Sequence, residues 1–593
     1  MNMYEEFLSK TKKELIQIAL ELLGEPLPEI TEELFALFET TGNRVKYEAV
    51  YFGRRKFLTV LGCLALWMKE EGEETFAPLK KSDVYSKLEG VLSEICQEEC
   101  WALPAHVNRT KNANWRNTVD LFASETAGTL AELAVKLETV LAATCIQKCK
   151  EEVLKRVVEP FFAVEAPFAH WERCEHNWNA VCVGNIGSAA IYLYQDRPAL
   201  LEKYIARVCE DLTYYVDGFA EDGTCMEGLG YYAYGMGYFV NFANQLYEYT
   251  QGGIDLLKGD WGKLSVGVED KRYRMAVWWS KCYFASGRSV SFSDGSCNEK
   301  YRMGLGCALK KRFEKVQIPD ISLASSLMED HCYRFVPMRM DIFETKKLAE
   351  KAGAESEYTP DSFVILPSAQ WCMGNSENGC FAAFKGGHND EPHNHNDVGS
   401  FLYGIGKELF LTDLGAGEYV KEYFSEGRYD IFCNRSLGHN VPLLGGKEQK
   451  CGKEYAAEKF VAKDNERFGE CSVDVTGAYE PCEVKRFYRS AIFDKENGEL
   501  VIRDLFEAFG ESAVITENFV TQVKPEVVGD KVYLKGKEST CILAVNGLEP
   551  IFHVSTEIHS NHQGQPEDVY RIFFDTKIAD SEEITIRISN LKL

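Results

Sequence analysis

Two histidines with one residue between them, His393 and His395, are the residues of this chain with the clearest capacity for chemistry. Asp413 and His439 follow them, and four of the eleven histidines lie between residues 388 and 439. Imidazole and carboxylate groups are ligands that zinc prefers. Imidazole is also the usual proton-transfer group near neutral pH. The cluster therefore indicates a metal site, a proton-transfer site or both.

A predicted β-hairpin brings Asp413 close to His395. Its strands are Ser400–Tyr403 and Glu408–Thr412, and the glycines between them favour a turn. Pairing about the centre of that turn puts Asp413 opposite residue 397 or 398, at the same end of the ladder as His395. Two side chains that are distant in sequence are thus predicted to be neighbours in space.

The directions of the His393 and His395 side chains depend on the backbone conformation. If the segment is extended, His393 and His395 point to the same side, because strand side chains repeat every two residues; if it bends, they diverge. A zinc site built from His395, Asp413 and His439 has three ligands and leaves room for water. The spacings match no standard zinc motif, so polar residues that satisfy one another at a sheet end are the alternative interpretation.

The elements that must position this cluster change along the chain. Segments between residues 7 and 250 place apolar residues at i, i+3, i+4 spacing, which predicts a long series of helices. Their number indicates a helical toroid or solenoid, although there is no strict sequence repeat. Beyond residue 359, short β-branched and aromatic segments separated by turn residues predict an antiparallel β-sandwich.

We therefore expect an α+β multidomain protein with three parts. Residues 1–345 form the helical toroid, 346–515 form a central β-sandwich that carries the histidine cluster, and 516–593 form a C-terminal β-sheet domain. A chain of 593 residues is too long for one core, and domain sizes favour roughly two to four units.

The composition excludes several classes of partner. A formal charge of −25 argues against nucleic-acid or anionic-membrane binding, and mildly against polyanionic substrates unless basic residues concentrate in a cleft. No apolar stretch approaches the ~18–20 residues of a membrane span. An acidic, polar N-terminus and twenty cysteines predict a cytoplasmic protein with reduced thiols. The oligomeric state stays open, and a homo-oligomer is compatible with the sequence.

Five motifs in order resemble the heparinase II/III-like polysaccharide lyases. The matches extend from about residue 105 to about residue 445. They are the segments His176–Cys182, Asp222–Gly235, Lys385–Phe401, Asp413–Gly415 and Asn434–Asn440. The resemblance implies an incomplete (α/α) toroid followed by antiparallel β-domains, with a cleft between toroid and sandwich. It also implies that His395, Asp413 and His439 hold zinc, mainly in a structural role, while His393 is catalytic.

The reaction that the resemblance implies is β-elimination at a uronic acid. A proton leaves C5, the C4–O bond breaks, and the product is a 4,5-unsaturated uronate. Because an ionised carboxylate resists the build-up of charge beside it, the site must neutralise that group. Asn177 resembles the family's carboxylate neutraliser, since an amide can donate to a carboxylate without titrating. Several members have His at this position, so the adjacent His176 is an alternative.

A tyrosine then serves as base, acid or both, while His393 can act as base on the opposite face. The candidates are Tyr231, Tyr232 and Tyr234, and the pattern after Glu227 favours the first and the third. Aromatic packing or sugar stacking is the other interpretation for each ring. Substrate contact is predicted for His176, Asn179, Glu227 and Arg435, with support of neighbouring residues as the alternative.

The sequence thus predicts a lyase acting on acidic oligosaccharides that contain uronic acid, with glycosaminoglycan fragments as first choice. Alginate- or glucuronan-type oligosaccharides are the second choice of substrate. A glycoside hydrolase on a toroid scaffold needs two carboxylates about 5–10 Å apart, and Glu125, Glu172 and Glu227 are available for that reaction. A sugar-binding module without catalysis is a third interpretation.

Overall fold

A computed structural model describes residues 2–258, 271–350, 358–510 and 512–591. The chain forms two compact units. The first, which we call the helical unit, comprises Met1–Gly218, Tyr231–Ala276 and Lys300–Glu357. The second, the β unit, comprises Phe219–Gly230, Val277–Glu299 and Tyr358–Leu593.

Local sequence signals account for the starts of several helices. Asn2 and Glu5 form a capping box at the first helix, and the Asp120 side chain accepts the Ala123 N–H at the fifth. The described helices are α1 Met3–Gly24, α2 Glu32–Thr41, α3 Val45–Glu71, α4 Lys81–Gln97, α5 Leu121–Lys136, α6 Ala143–Val153, α7 Glu159–Ala163, α8 Asn177–Leu193, α9 Pro198–Asp217, α10 Leu229–Tyr249, α11 Lys271–Lys281, α12 Met303–Arg312 and α13 Phe335–Ala349.

Helices that are close in sequence pack against one another in the helical unit. The packed pairs include α3 with α4, α5 with α6, α8 with α9, and α12 with α13, while α1 also contacts α13. This is the packing of a helical toroid, and the predicted fold class is confirmed. Amphipathic periodicity does not predict helix α12, because residues 303–309 are all buried and this part of the helix has no polar face.

The β unit is built from antiparallel sheets. Its strands are β1 Phe363–Leu366, β2 Trp371–Asn375, β3 Cys380–Lys385, β4 His388–Asn389, β5 Phe401–Ile405, β6 Glu408–Leu411, β7 Leu443–Leu444, β8 Gly452–Ala456, β9 Glu458–Asp464, β10 Phe468–Asp474, β11 Val484–Asp494, β12 Leu500–Ala508, β13 Ala513–Thr521, β14 Pro525–Val528, β15 Lys531–Lys535, β16 Thr540–Asn546, β17 His553–Ser560, β18 Pro566–Ile578 and β19 Ser581–Asn590. The sheet orders are β1-β2-β3-β5-β6, β14-β15-β16-β19-β12-β11-β10-β9, β17-β18-β13-β7 and β4-β8.

The strands on the two sides of the predicted domain boundary at residue 515 do not form separate domains. Strand β19 pairs with β12 on one side and with β16 on the other, so both sides of that boundary share one eight-stranded sheet. Buried side chains of β12, such as Ile502, belong to the same hydrophobic cluster as Ile586 of β19. Segments 219–230 and 277–299 also group with the β unit and not with residues 1–345.

A membrane-spanning helix is absent from the described part of the chain. None of its helices combines the length and the apolar character that crossing a bilayer requires.

Arg489 on β11 ties the sheet to the loops that carry the histidine cluster. Its side chain is 1% exposed, and its Nε donates to Asp504 Oδ1 at 2.7 Å. Its Nη1 donates to the backbone oxygens of Gly399 at 3.0 Å and Asn440 at 2.7 Å. Because Gly399 follows His395 and Asn440 follows His439, one buried guanidinium anchors both loops.

Replacing Arg489 tests this anchor. Arg489→Met leaves the Asp504 carboxylate buried without its cation and two carbonyls without donors, so the free energy of unfolding should fall by about 3–5 kcal/mol. Denaturant titration measures the change. Arg587→Met is the matched control, because its exposed pair with Glu499 contributes less than about 1 kcal/mol. Equal effects of the two substitutions would contradict the assigned role.

Candidate active site

The histidine loop, residues 386–400, joins β3 to β5 through the short strand β4. A buried lysine at the end of β3 holds the loop from inside: Lys385 Nζ lies 2.8 Å from Asp397 Oδ1 and 3.5 Å from Glu391 Oε2. All three side chains are 1% exposed. A charge this deeply buried requires partners, so the lysine and the two carboxylates fix the loop at both ends.

Side chains from the following segment hold the centre of the loop. The Gln449 amide accepts the Val398 N–H at 2.9 Å and donates to the Val398 carbonyl at 2.7 Å. Ser436 Oγ donates to the Asn396 carbonyl at 2.8 Å, and the Asn396 N–H donates to the Asn434 carbonyl at 3.0 Å. The loop therefore has a defined conformation although most of it lies outside the sheets.

His395, Asp413 and His439 come together as predicted from the sequence. One ligand atom from each lies within 4.8 Å of the other two, and all three residues are buried. His395 Nδ1, His439 Nδ1 and Asp413 Oδ2 are buried and have no hydrogen-bond partner among the described residues, although His439 Nδ1 and Asp413 Oδ2 lie 3.4 Å apart. Two imidazole nitrogens and a carboxylate oxygen that converge in this way fit the ligand set of a zinc ion.

The other polar atoms of these residues are engaged, which orients the rings. His439 Nε2 lies 2.8 Å from the Cys433 carbonyl oxygen, and Asp413 Oδ1 accepts the Gly415 N–H at 3.0 Å. Burial alone would raise the pKa of Asp413, but the imidazole of His439 lowers it below its ordinary value. The residues around the three atoms thus favour the charged carboxylate that a metal ligand needs.

The hairpin that carries Asp413 has a different register from the predicted one. Ile405 pairs with Glu408, and a bulge follows at Tyr403, so continuing the ladder would put Asp413 near residue 401 and not at 397 or 398. Asp413 still reaches His395 because residues 397–400 turn back toward the strand end, with the Ser400 N–H bonded to the Asp397 carbonyl.

His393 occupies a strained backbone position and lies between two carboxylates. Its φ angle is 58°, in the left-handed region that costs a non-glycine residue about 1–2 kcal/mol. Its Nδ1 lies 2.8 Å from Asp294 Oδ2, and its Nε2 lies 3.5 Å from Glu227 Oε2. Burial would lower the pKa of the imidazole, but hydrogen bonds to Asp294 and Glu227 raise it to about 9.

Asp294 is the residue of this site that sequence reasoning missed. Its side chain is 0% exposed, and His393 Nδ1 and His395 Nε2 each approach one of its oxygens, at 2.8 and 3.0 Å. Tyr419 and Tyr423 also donate to it. The motif Ser293-Asp294-Gly295 reads as an ordinary turn, and no spacing to the histidines marks it.

Of the residues predicted on the toroid side, Asn177, Asn179 and the three tyrosines lie in the helical unit, whereas Glu227 groups with the β unit. Asn177 is 2% exposed at the first turn of α8, and His176 occupies the N-cap position of that helix without a capping hydrogen bond from its side chain. Asn179 is fully buried, and its Nδ2 donates to the carbonyls of Glu172 and Asp211. Substrate contact was predicted for Asn179, but the structure gives its amide a supporting role between α8 and α9.

The three candidate tyrosines differ in their surroundings. Tyr232 is 1% exposed and its hydroxyl donates to the Met275 carbonyl at 2.9 Å, so its position is structural. Tyr231 is half-buried on α10. The Tyr234 hydroxyl donates to Glu125 Oε1 at 2.6 Å, and burial together with Glu125 raises the pKa of Tyr234 well above its ordinary value. The Tyr234 phenol is therefore held in its protonated form.

Arg435 forms an ion pair with Glu448. Its Nε donates to Glu448 Oε2 at 3.0 Å, and its Nη2 also contacts that carboxylate. Its side chain is 36% exposed. The predicted contact of Arg435 with substrate requires that this ion pair opens or takes part as a pair.

No protein-family model and no curated protein matches the chain by sequence. Solved structures do match. Heparinase III is 13% identical with a TM-score of 0.62, over 93% of this chain and 78% of that chain. Heparan sulfate lyase HepC from Pedobacter heparinus is 11% identical with a TM-score of 0.60, over 96% and 84%. The chain therefore has the heparinase III-like fold, and the resemblance is confirmed at the level of fold.

Elemental analysis tests the metal site. The native protein should contain about one zinc per chain, and His439→Ala should lose it because one of three ligands is removed. His388→Ala is the matched control, since His388 belongs to the same loop but lies outside the ligand set. A metal-free native protein that folds normally would exclude the site.

The Glu125–Tyr234 pair predicts a pH-dependent stability. Burial raises the pKa of Glu125 to about 7 from an ordinary 4.5, although Arg334 and Tyr234 lower it. The folded state thus favours the protonated acid: this stabilisation is complete below about pH 4.5 and is lost as pH rises through about 7. The loss should amount to about 3 kcal/mol.

Glu125→Gln should remove that contribution and flatten the unfolding free energy between pH 4.5 and 7, measured by denaturant titration at each pH. The exposed Glu138→Gln should leave the slope of the native protein unchanged. An unaltered slope in Glu125→Gln would show that Glu125 does not carry the effect.

Proposed function

We propose that this protein is a lyase that cleaves uronate-containing glycans by β-elimination to a 4,5-unsaturated uronate. The observation that carries the proposal is His393, a strained histidine held by Asp294 and Glu227 beside three converging metal-ligand atoms. Backbone strain of the kind seen at His393 is found most often at active sites and ligand-binding sites. The fold adds support, because one of the similar solved structures is named as a heparan sulfate lyase and another as heparinase III.

The reaction needs a group that moves the C5 proton and a group that stabilises the developing enolate. Asp294 engages His393 Nδ1, so Nε2 is the ring atom that we assign to proton transfer, with Glu227 next to it. We assign neutralisation of the uronate carboxylate to the Asn177 amide. We assign the second proton transfer to Tyr231, with Tyr234 as the alternative.

A zinc ion held by His395, Asp413 and His439 would supply a fixed positive charge beneath the histidine loop. The chain's own residues do the remaining work. Lys385 and Gln449 hold the loop, and Asp294 orients the His393 ring. The metal is thus assigned to support of the catalytic loop.

Glycosaminoglycan oligosaccharides are the substrate class that we propose first. The matching structures are named as a heparan sulfate lyase and as heparinase III. Incubation with heparan sulfate, chondroitin, alginate and glucuronan oligosaccharides, followed by absorbance of the conjugated product, tests the class. New absorbance with alginate or glucuronan alone would change the proposed substrate class from glycosaminoglycans to those oligosaccharides. Cleavage without new absorbance would indicate hydrolysis, and binding without cleavage would indicate a sugar-binding module.

His393→Ala should lower kcat on the best substrate by about 10²–10⁴-fold, because it removes a positioned proton-transfer group. The loop is anchored by other residues, so the zinc content should stay near that of the native protein. His553→Ala on β17 is the control and should retain full activity, since its ring stacks on Phe573 outside the site. Undiminished activity of His393→Ala would refute the assigned role.

A further inference from the structure

One carboxylate serves two histidines of different function. Asp294 Oδ2 lies 2.8 Å from His393 Nδ1, and Asp294 Oδ1 lies 3.0 Å from His395 Nε2. The Asp294 side chain is 0% exposed. We propose that Asp294 is a positioning residue that sets the tautomer and the orientation of both rings at once. The inference rests on the proposed function for the role of His393.

The chemistry of the carboxylate decides the tautomers. An ionised carboxylate only accepts hydrogen bonds, so the ring nitrogen that faces it must carry a hydrogen. His395 is then protonated on Nε2, and its Nδ1 lone pair converges with Asp413 and His439. In its neutral form His393 carries its hydrogen on Nδ1, which assigns proton exchange to its Nε2. The two histidines therefore use opposite ring nitrogens for their functions.

Further donors surround the Asp294 carboxylate and align it. The Tyr419 hydroxyl donates to Oδ2 at 2.9 Å, and the Tyr423 hydroxyl donates to Oδ1. Arg428 Nη2 lies 3.7 Å from Oδ2. Each carboxylate oxygen thus has one imidazole and one phenol, which fixes the plane of the carboxylate and with it the planes of both rings.

The turn that presents Asp294 is tied to the rest of the site. Ser293 has a φ of 61°, and its Oγ donates to the carbonyl of Met226, the residue before Glu227. Ser291 Oγ lies 3.4 Å from the carbonyl of Asp413, a predicted metal ligand. The turn therefore links the segment of Glu227, the metal ligands and the histidine loop.

Asp294→Asn is the test, because asparagine keeps the shape but has one acceptor atom where the carboxylate has two. One histidine must lose its partner or change tautomer. With zinc, competition against a chromogenic chelator should show a loss of affinity of about 10–100-fold. At saturating zinc, kcat should fall at least about 100-fold while KM changes less than about 3-fold, since the effect is on orientation and not on substrate contact.

Two comparisons separate positioning from general destabilisation. Asp494→Asn makes the same change at a turn carboxylate that accepts the N–H groups of Glu496 and Asn497, and it should leave zinc affinity and kcat unchanged. In a His393→Ala background, Asp294→Asn should cause no further loss of kcat but should still weaken zinc binding. An additive loss of kcat would mean that Asp294 does not act through His393.

Nitrogen NMR of histidine-labelled native protein provides a measurement that needs no variant. Recorded above about pH 9, where the His393 ring is neutral, it should show His393 and His395 in opposite tautomers, and the same tautomer in both would overturn the inference. Unchanged zinc affinity in folded Asp294→Asn would overturn it as well. Absence of the unsaturated product from the native protein would refute the proposed function alone, because tautomers and zinc affinity are measured without substrate.

Discussion

A buried carboxylate must be surrounded by donors, and the site of this protein is arranged around that requirement at Asp294. The side chain is fully buried, and hydrogen bonds from His393 and His395 hold its pKa well below its ordinary value in spite of the burial. Two tyrosines and an arginine complete its surroundings. Because its donors come from the histidine loop and from residues 419–428, the carboxylate brings separate segments of the β unit to one point.

Two other buried charged side chains of the β unit are also surrounded by partners. Lys385 holds the histidine loop through Asp397 and Glu391, and Arg489 joins the large sheet to the residues that follow His395 and His439. Such groups are costly to bury and are stable only when all their partners are in place. A loop fixed in this way can keep His393 in a left-handed conformation that an unrestrained loop would leave.

The helical unit contains a separate arrangement of the same kind. Glu125, Tyr234 and Arg334 form a buried group in which the acid is bonded to a phenol and to a guanidinium. Here the partners do not fully offset burial, and the pKa of Glu125 lies near 7. The contrast with Asp294 is physical: a carboxylate with four donors stays charged, and one with fewer takes up a proton more easily.

The sequence by itself determined the order of helices and strands, because periodicity and turn residues are local signals, and it determined the residue types of the metal cluster. Through the resemblance it also predicted different roles for His393 and His395. Only the tertiary structure decided the sheet that spans residue 515, the register of the Asp413 hairpin, the supporting role of Asn179 and the place of Asp294 beside the two histidines. These depend on pairing between segments far apart in the chain, and a turn aspartate has no local pattern that shows which buried histidines it will meet.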